Sequence, residues 1–199
     1  MEFKKIQLAK DGTLNVTYVD SDENTITMVG ANIVHRDFKN AMRALIPHLA
    51  LMTEQREAAA ATLEDLQKQE LSEDSYSVFK VLTVDELNFS DGEQEVSVGG
   101  SRILKGGKVM RLTAPKINNS DEEAYEYCGE LQLALEAVKY EAKEYIEQKK
   151  WGIKQAELFP ADDPFEGVQA DEVPSVSVTV EEKPKRGRKS KAKAVAAAV

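Results

Sequence analysis

Hydrophobic periodicity is the feature that most constrains the fold of this chain, because it changes twice from strand-like alternation to helical spacing. In the first half, strand-like segments at Phe3–Leu8, Leu14–Tyr18 and Ile26–Met28 precede an amphipathic segment that starts near Asp37. Alternate side chains share a face of a strand, whereas neighbours on a helix face recur every three or four residues. The order therefore predicts three antiparallel strands followed by a helix.

The first helix is predicted from an apolar stripe, with Asp37 as its N-cap. The stripe consists of Phe38, Met42, Leu45, Leu49 and Met52. Pro47 lies inside it and lacks a backbone donor, which predicts a kink or a restart. The Ala-rich, charged segment Glu54–Glu70 predicts a helical continuation or a second helix.

The second half repeats this order. Val78–Phe89 and Val96–Leu104 are typical of strands, and Gly99–Gly100 is a weak point where a bulge would fit. Gly106–Gly107 predicts a two-residue hairpin turn of the primed type, followed by the return strand Val109–Ala114.

A long helix completes the predicted folded region. It begins at the capping-box pattern Ser120–Glu123 and ends at Gly152. Its core positions recur at spacings of three and four, at Cys128, Leu131, Leu135, Val138, Ala142 and Tyr145. The sequence therefore predicts an α+β fold over 1–152. In it, two βββα units, 1–70 and 76–152, build one antiparallel sheet with long helices on one face.

After residue 152 the sequence has no hydrophobic periodicity. Residues 153–182 contain one Lys and eight acidic residues, and residues 183–199 contain seven cations and no acid. Segments of this composition bury too little apolar surface to offset the entropy of ordering. We expect an acidic disordered linker at 153–182 and a basic tail at 183–199.

Cysteine and histidine usage limits the possible chemistry. The single Cys128 excludes an internal disulfide framework and is typical of a cytoplasmic protein. With only His35 and His48 besides, no Cys/His zinc site can form, and we predict neither a metal nor a cofactor. The first residues lack the apolar run of a secretory signal, and the apolar stretch Ala44–Met52 is too short for a membrane span.

No catalytic constellation is evident, so a non-enzymatic role is expected. His48 lies next to the apolar stripe and Cys128 occupies a core position of the last helix, so both are interpreted as packing residues. No serine lies in a nucleophile elbow. A pair of hydrolytic carboxylates among the 35 acidic residues remains an open alternative.

The basic tail indicates a polyanionic partner. Its segment PKRGRK resembles an AT-hook, which has Arg-Gly-Arg at its centre. The resemblance implies that Arg186 and Arg188 lie along the narrow minor groove of A·T-rich DNA, and that Gly187 lets the backbone lie deep. It also implies that Lys185 and Lys189 contact phosphates, although Lys189 stands where the usual core has Pro. A solvated or solubilising tail is the alternative.

A second cationic group lies on the predicted hairpin. Its members are Arg102, Lys105, Lys108, Arg111 and Lys116. The predicted turn pairs Lys105 with Lys108 and Arg102 with Arg111, and opposed like charges destabilise a sheet by roughly 0.2–1 kcal/mol per pair. Contact with a phosphate backbone would offset this cost, and so would Asp85 and Glu86 on the neighbouring strand.

The hairpin prediction has two further parts. Ile103, Met110 and Leu112 are expected to face the core, with the arginines outward. The alternative to a nucleic-acid surface is a charged edge hairpin that discourages aggregation between sheets.

The linker contains an acidic aromatic segment, FPADDPF, that resembles the C-terminal tip of bacterial single-stranded-DNA-binding proteins. The resemblance implies that Phe159 and Phe165 dock on a partner protein and that Asp162 and Asp163 meet its basic rim. Here the segment is internal rather than terminal. The alternative is a linker that docks Phe165 on its own domain.

The body of the chain is similar to uncharacterised small α+β proteins of phages and mobile elements of gut bacteria, through the order VGGSRILKGGKVMRLTAPKINNSDEE. Together these observations lead to the hypothesis of a nucleic-acid-associated accessory protein of phage-type replication or recombination. It would bind DNA, including single strands, and a protein partner, but no membrane. The alternative is a structural or adaptor protein that forms homo-oligomers through its sheet edge or last helix.

Overall fold

The computed structural model describes residues 1–71, 77–90, 92–118 and 123–152, and within these ranges the fold is α+β, as predicted. The strands are β1 (Glu2–Leu8), β2 (Thr13–Val19), β3 (Thr25–Ile33), β4 (Leu82–Ser90), β5 (Glu95–Ile103), β6 (Val109–Thr113) and β7 (Ile117–Asn118). The helices are α1 (Arg36–Ala44), α2 (Ile46–Met52), α3 (Leu63–Lys68), α4 (Val78–Val81) and α5 (Cys128–Glu147), with single 3₁₀ turns at Arg56–Ala58 and Gln69–Leu71.

The described strands form one antiparallel sheet in the order β3-β2-β1-β4-β5-β6, and β7 also pairs with β5. Each half of the sequence contributes a meander, and the two meanders meet where β1 pairs with β4. In the described part of the chain, short helices follow the first meander and the long α5 follows the second. The interpretation as two βββα repeats stays a prediction.

One face of the sheet builds the core. On β2, Leu14, Val16 and Tyr18 are buried and join the buried side chains of the helices in one hydrophobic cluster. Thr17 lies on the opposite face and its hydroxyl is 3.2 Å from that of Thr27 on β3. The alternation of β2 therefore separates an apolar face from a polar one, as the sequence predicts.

The N-cap of α1 is His35, so the prediction of Asp37 was wrong. The Nδ1 atom of His35 accepts a hydrogen bond from the backbone N–H of Asp37, at 3.3 Å. Asp37 lies in the first turn, where a carboxylate favours the helix dipole, and it pairs with Lys150 at 2.9 Å. Pro47 does mark a restart, because α2 begins at Ile46 and its first turn needs no backbone donor at Pro47.

The segment after α2 is less helical than Glu54–Glu70 predicts. Glu54 and Ala60 adopt positive φ of 48° and 62°, which interrupts a continuous helix. A new helix, α3, starts only after Thr62, whose hydroxyl forms a capping box with Asp65. A separate helix therefore forms, but it is short.

A bulge does occur beside Gly99–Gly100, but it lies in the partner strand β4 and not in β5. Gly100 pairs with Val84 and Gly99 with Glu86, so Asp85 is the extra residue of a bulge in β4. The predicted strand Val78–Phe89 also begins as the short helix α4.

In α5 the six predicted core positions are all buried, which confirms the 3-4 pattern. The helix ends at Glu147, five residues before the predicted end, and Lys149 takes a left-handed φ of 54°. Trp151 then pairs with Val34, and the Gly152 N–H donates to the Ile33 carbonyl at 2.9 Å. The predicted cap residues 120–122 lie outside the described residues.

Candidate nucleic-acid interface

The β5–β6 hairpin has a three-residue loop, so the predicted two-residue turn was wrong. The Leu104 N–H donates to the Lys108 carbonyl, and the Gly107 N–H donates to the Leu104 carbonyl, each at 2.8 Å. Of the two glycines, only Gly107 takes a positive φ, of 74°. A turn followed by one left-handed residue is a common three-residue hairpin connection, second in frequency to the primed two-residue turns.

The longer loop shifts the strand register by one residue. Arg102 lies opposite Met110, and Arg111 lies opposite Ser101. The opposed pairs Arg102–Arg111 and Lys105–Lys108 were therefore wrongly predicted, because a one-residue slip moves every side chain to the other face. The like-charge repulsion expected from these two pairs therefore does not arise.

Arg102 lies on the helix-bearing face and is held by an acidic residue. Its two terminal nitrogens donate to the two carboxylate oxygens of Glu57 at 2.6 and 2.7 Å, and one also donates to Gln55 at 2.7 Å. The side chains of Arg102 and Glu57 are only 17% and 12% exposed. Hydrogen bonds from Arg102 lower the pKa of Glu57 below its ordinary 4.5. This arginine fastens the hairpin to the segment after α2.

Arg111 lies on the polar face and is also paired. Its guanidinium donates to the carboxylates of Asp85 and Glu86, and Glu86 also pairs with Lys5 on β1 at 2.7 Å. The bulge at Asp85 brings two consecutive acidic residues to one guanidinium. Either a phosphate backbone or the neighbouring acidic residues could have offset the charge of the hairpin. For Arg111, the partners are the acidic residues Asp85 and Glu86.

The three lysines of the hairpin region differ from the arginines. Lys105 and Lys108 are exposed and form no ion pair within the described ranges. Lys116 donates to the Ser90 hydroxyl at 3.1 Å and lies 3.9 Å from Glu95. The cations available at this hairpin are therefore those of its tip.

Two of the three apolar hairpin residues that were expected to face the core are exposed. Ile103 is 47% exposed because it follows Arg102 on β5 and therefore lies on the face away from the helices. Met110 is 40% exposed because β6 is an edge strand. Leu112, which pairs with Gly100, is half-buried against the core.

A cleft opens where β1 and β4 separate. Their pairing ends at Gln7 and Glu86, and the next residues, Leu8 and Asp85, line a cavity of about 660 Å³. Four cations line this cavity, which we call the cationic cleft, namely Lys10, Arg36, Lys39 and Arg43. Asp85 is the acidic residue in its lining, and it is paired with Arg111.

The cations of the cleft fall into two groups. Arg43 donates through Nε to Glu70 at 2.9 Å, and its guanidinium lies 5.0 Å above the ring of Phe79. Lys10, Arg36 and Lys39 are exposed, and no carboxylate of the described residues pairs with them. The cleft therefore holds one fixed guanidinium and three positive charges that are free to bind an anion.

Sequence reasoning missed this cluster, although a signal for it exists. Arg36, Lys39 and Arg43 stand at i, i+3 and i+7, which places them on one face of α1. The buried residues Phe38 and Met42 lie on the other face. The signal is easily overlooked because the three cations are separated by other residues instead of forming a run.

The two candidates for catalysis have packing roles. His48 is buried, and its Nδ1 lies 2.9 Å from the hydroxyl of Tyr125. Burial lowers the pKa of His48 from 6.5 to about 4, although Glu130 acts in the opposite direction. Cys128 is buried at the start of α5, which confirms its predicted core position.

The other predicted site residues lie outside the described residues. They are Lys185, Arg186, Gly187, Arg188 and Lys189 of the basic tail, and Phe159, Asp162, Asp163 and Phe165 of the acidic linker.

Among the described residues, no three His, Cys, Asp or Glu side chains are grouped as metal ligands would be. In the same part of the chain, no helix has both the length and the apolar character needed to cross a bilayer. Comparisons with protein-family models, curated proteins and solved structures each returned no match to this chain.

Proposed function

We propose that this chain is a non-enzymatic, nucleic-acid-associated accessory protein of the kind that serves phage-type replication or recombination. The observation behind this proposal is a set of exposed cations that have no ion-pair partner in the described part of the chain. Five of its members lie around the cleft and at the hairpin tip, namely Lys10, Arg36, Lys39, Lys105 and Lys108. In a chain of net charge −9, unpaired cations grouped on one region favour a polyanionic ligand.

Three of these cations, Lys10, Arg36 and Lys39, line the cationic cleft, and the hairpin reaches the cleft through Val109, the neighbour of Lys108. A phosphate backbone that crosses this cleft could contact lysines from both the hairpin and α1. Arg102 and Arg111 are paired with carboxylates of the protein. The proposed contact surface therefore omits them and consists of the cations that have no such partner.

The basic tail is the second component of the proposal. Residues 183–199 contain seven cations and no acid, and the AT-hook-like Arg186-Gly187-Arg188 suits A·T-rich duplexes. Each phosphate contact lowers the slope of log K against log salt by about 0.9 for duplexes and about 0.7 for single strands. The tail and the body should therefore contribute separable parts of the salt dependence.

Fluorescence anisotropy with single- and double-stranded oligonucleotides tests the proposal. One full-length variant carries Lys39→Gln and Lys108→Gln, and another replaces Lys185, Arg186, Arg188 and Lys189 by Gln. Both should bind more weakly and with a shallower salt slope than the native protein. Lys143→Gln, which removes an exposed cation of α5, is the matched control and should bind as the native protein does. Absence of binding at low salt by the native protein would exclude the function.

A self-associating adaptor is the second candidate, favoured by the edge strand β6. Val109 is 67% exposed there and Ile103, its partner on β5, is 47% exposed. An apolar edge strand can pair with the same strand of another copy. Light scattering at increasing concentration tests this candidate, with Val109→Lys as the variant expected to remain monomeric. A native protein that stays monomeric throughout argues against self-association.

A further inference from the structure

We propose that the cationic cleft is a binding pocket for a single nucleotide unit, with the phosphate at Lys10, Arg36 and Lys39 and the base against Arg43. The inference rests on the proposed function only if the nucleotide belongs to a nucleic-acid strand. A free mononucleotide has the same chemistry, and the experiment below separates the two sources.

The lining of the cleft favours a ligand that has an anionic group and an apolar part. Its apolar lining includes the exposed Val109 and the half-buried Leu8 and Phe79, together with the buried Met42, Ile46, Leu82 and Val84. Three unpaired cations stand at its rim. An inorganic anion alone would leave the accessible apolar lining in water, and an uncharged ligand would leave the cations without an anionic partner. A volume of about 660 Å³ lies within the roughly 300–1,000 Å³ of small-molecule sites.

The geometry of Arg43 indicates that the apolar part is flat. The ring of Phe79 lies 5.0 Å from its guanidinium, and Glu70 accepts from its Nε at 2.9 Å, so two neighbours hold the guanidinium plane. Arg43 also lines the cleft. Proteins stack unpaired bases on guanidinium planes fixed in this manner.

Polar groups of the lining suit the edge of a base. Asn40 is exposed on the wall of the cleft, and its side-chain amide offers both donors and an acceptor. The hydroxyls of Thr83 and Ser101, 2.7 Å apart, also belong to the lining and can reorient towards a ligand. A fatty acid, which is the other common apolar anion, has an alkyl chain that would form no hydrogen bond with these three groups.

The free phosphate of a nucleotide suits the rim. A phosphate monoester carries a charge of about −1.5 to −2 at neutral pH and three acceptor oxygens. Arg36 and Lys39 stand one helical turn apart on α1, and Lys10 reaches the same cavity from the turn after β1. Three cations from two elements can therefore surround one phosphate, and the charge-assisted bonds would be the strongest in the complex.

Isothermal titration calorimetry of the full-length protein with dAMP, deoxyadenosine and inorganic phosphate tests the pocket. We expect dAMP to bind at least about tenfold more tightly than either fragment, since each half of the lining then contributes. Arg36→Gln together with Lys39→Gln should weaken dAMP binding by about tenfold or more. Asn40→Trp, an exposed position, should block the cleft, and Lys143→Gln should have no effect. Unfolding temperatures verify that each variant is folded.

The outcomes separate this inference from the proposed function. If dAMP binds no more tightly than phosphate, or if the cleft variants leave its affinity unchanged, the proposal of a nucleotide pocket is wrong. This holds whether or not oligonucleotides bind to the protein. If dAMP binds while no oligonucleotide binds, the pocket stands with free nucleotide as its source and the proposed function fails. If a 5′-phosphorylated oligonucleotide competes with dAMP, a strand end is the source.

Discussion

Arg102 and Glu57 form a two-pronged ion pair that joins the β5–β6 hairpin to the segment after α2, at N···O distances of 2.6 and 2.7 Å. Both side chains are largely shielded from water. The pair shows that this arginine, which the sequence suggests as a nucleic-acid contact, is already committed within the fold.

Replacing Arg102 should therefore reduce stability rather than binding. Arg102→Met keeps the length of the side chain but leaves Glu57 with neither of its two charged donors. We expect the free energy of unfolding to fall by about 2 kcal/mol. Lys108→Gln at the hairpin tip, which has no such partner, should change it by less than about 0.5 kcal/mol. Urea denaturation measures both, and equal stability of the two variants would show that the pair contributes nothing.

Gly100 should tolerate no side chain. A Cβ at this position would lie 1.9 Å from the Thr83 carbonyl oxygen and 2.7 Å from a methyl carbon of Leu49. Because the nearest group is backbone, Gly100→Ala should destabilise the protein by about 3 kcal/mol. Gly99→Ala is the adjacent control, since its nearest neighbour is the flexible guanidinium of Arg111 at 3.1 Å. A thermal melt in which Gly100→Ala is the more stable variant would contradict the bulge geometry.

The hairpin loop should also be destabilised by a glycine substitution, but because of backbone conformation and not because of steric contact. Nothing lies within 4 Å of a Cβ built at Gly106 or at Gly107, but only Gly107 has a positive φ. Gly107→Ala should therefore cost about 1–2 kcal/mol, the penalty for a left-handed Cβ-bearing residue. Gly106→Ala should be nearly neutral. The reverse order in unfolding experiments would favour the two-residue turn.

The buried His48 should make the protein sensitive to mild acid. Its pKa is about 4 in the folded state and 6.5 ordinarily, so between these values the unfolded chain binds a proton that the folded chain does not. The contribution of His48 to stability is therefore complete above pH 6.5 and is lost as the pH falls towards 4. The loss amounts to up to about 3 kcal/mol.

The non-titrating variant His48→Gln isolates this effect from that of the carboxylates. Between pH 7 and pH 4, its free energy of unfolding should fall less than that of the native protein. Chemical denaturation at several pH values provides the comparison. Parallel pH profiles of the two proteins would mean that His48 takes up a proton without unfolding.

The elements with a repeated pattern could be predicted from the sequence. Leu14, Val16 and Tyr18 alternate in a strand that is buried on one face, and the spacing of Leu131, Leu135 and Val138 recurs in a helix with the same residues buried. In both cases several side chains report the same periodicity, so one ambiguous position does not change the assignment.

Features decided by one dihedral angle or one side chain could not be predicted. The Gly106-Gly107 pair fits loops of two or three residues, and the sign of φ at Gly106 selects between them. That single choice determined the register and therefore the partners of Arg102 and Arg111. The cap of α1 similarly depended on the orientation of one imidazole, that of His35.

Met42 and Arg43 are adjacent on α1 and both line the cleft, and Met42 also belongs to the hydrophobic core. The packing that fixes the helix also fixes the positions from which its cations project. Rotational freedom of the helix is thus already lost when the chain folds. A ligand in the cleft would have only side-chain rotamers to restrict, so preorganisation of the backbone lowers the entropic cost of its capture.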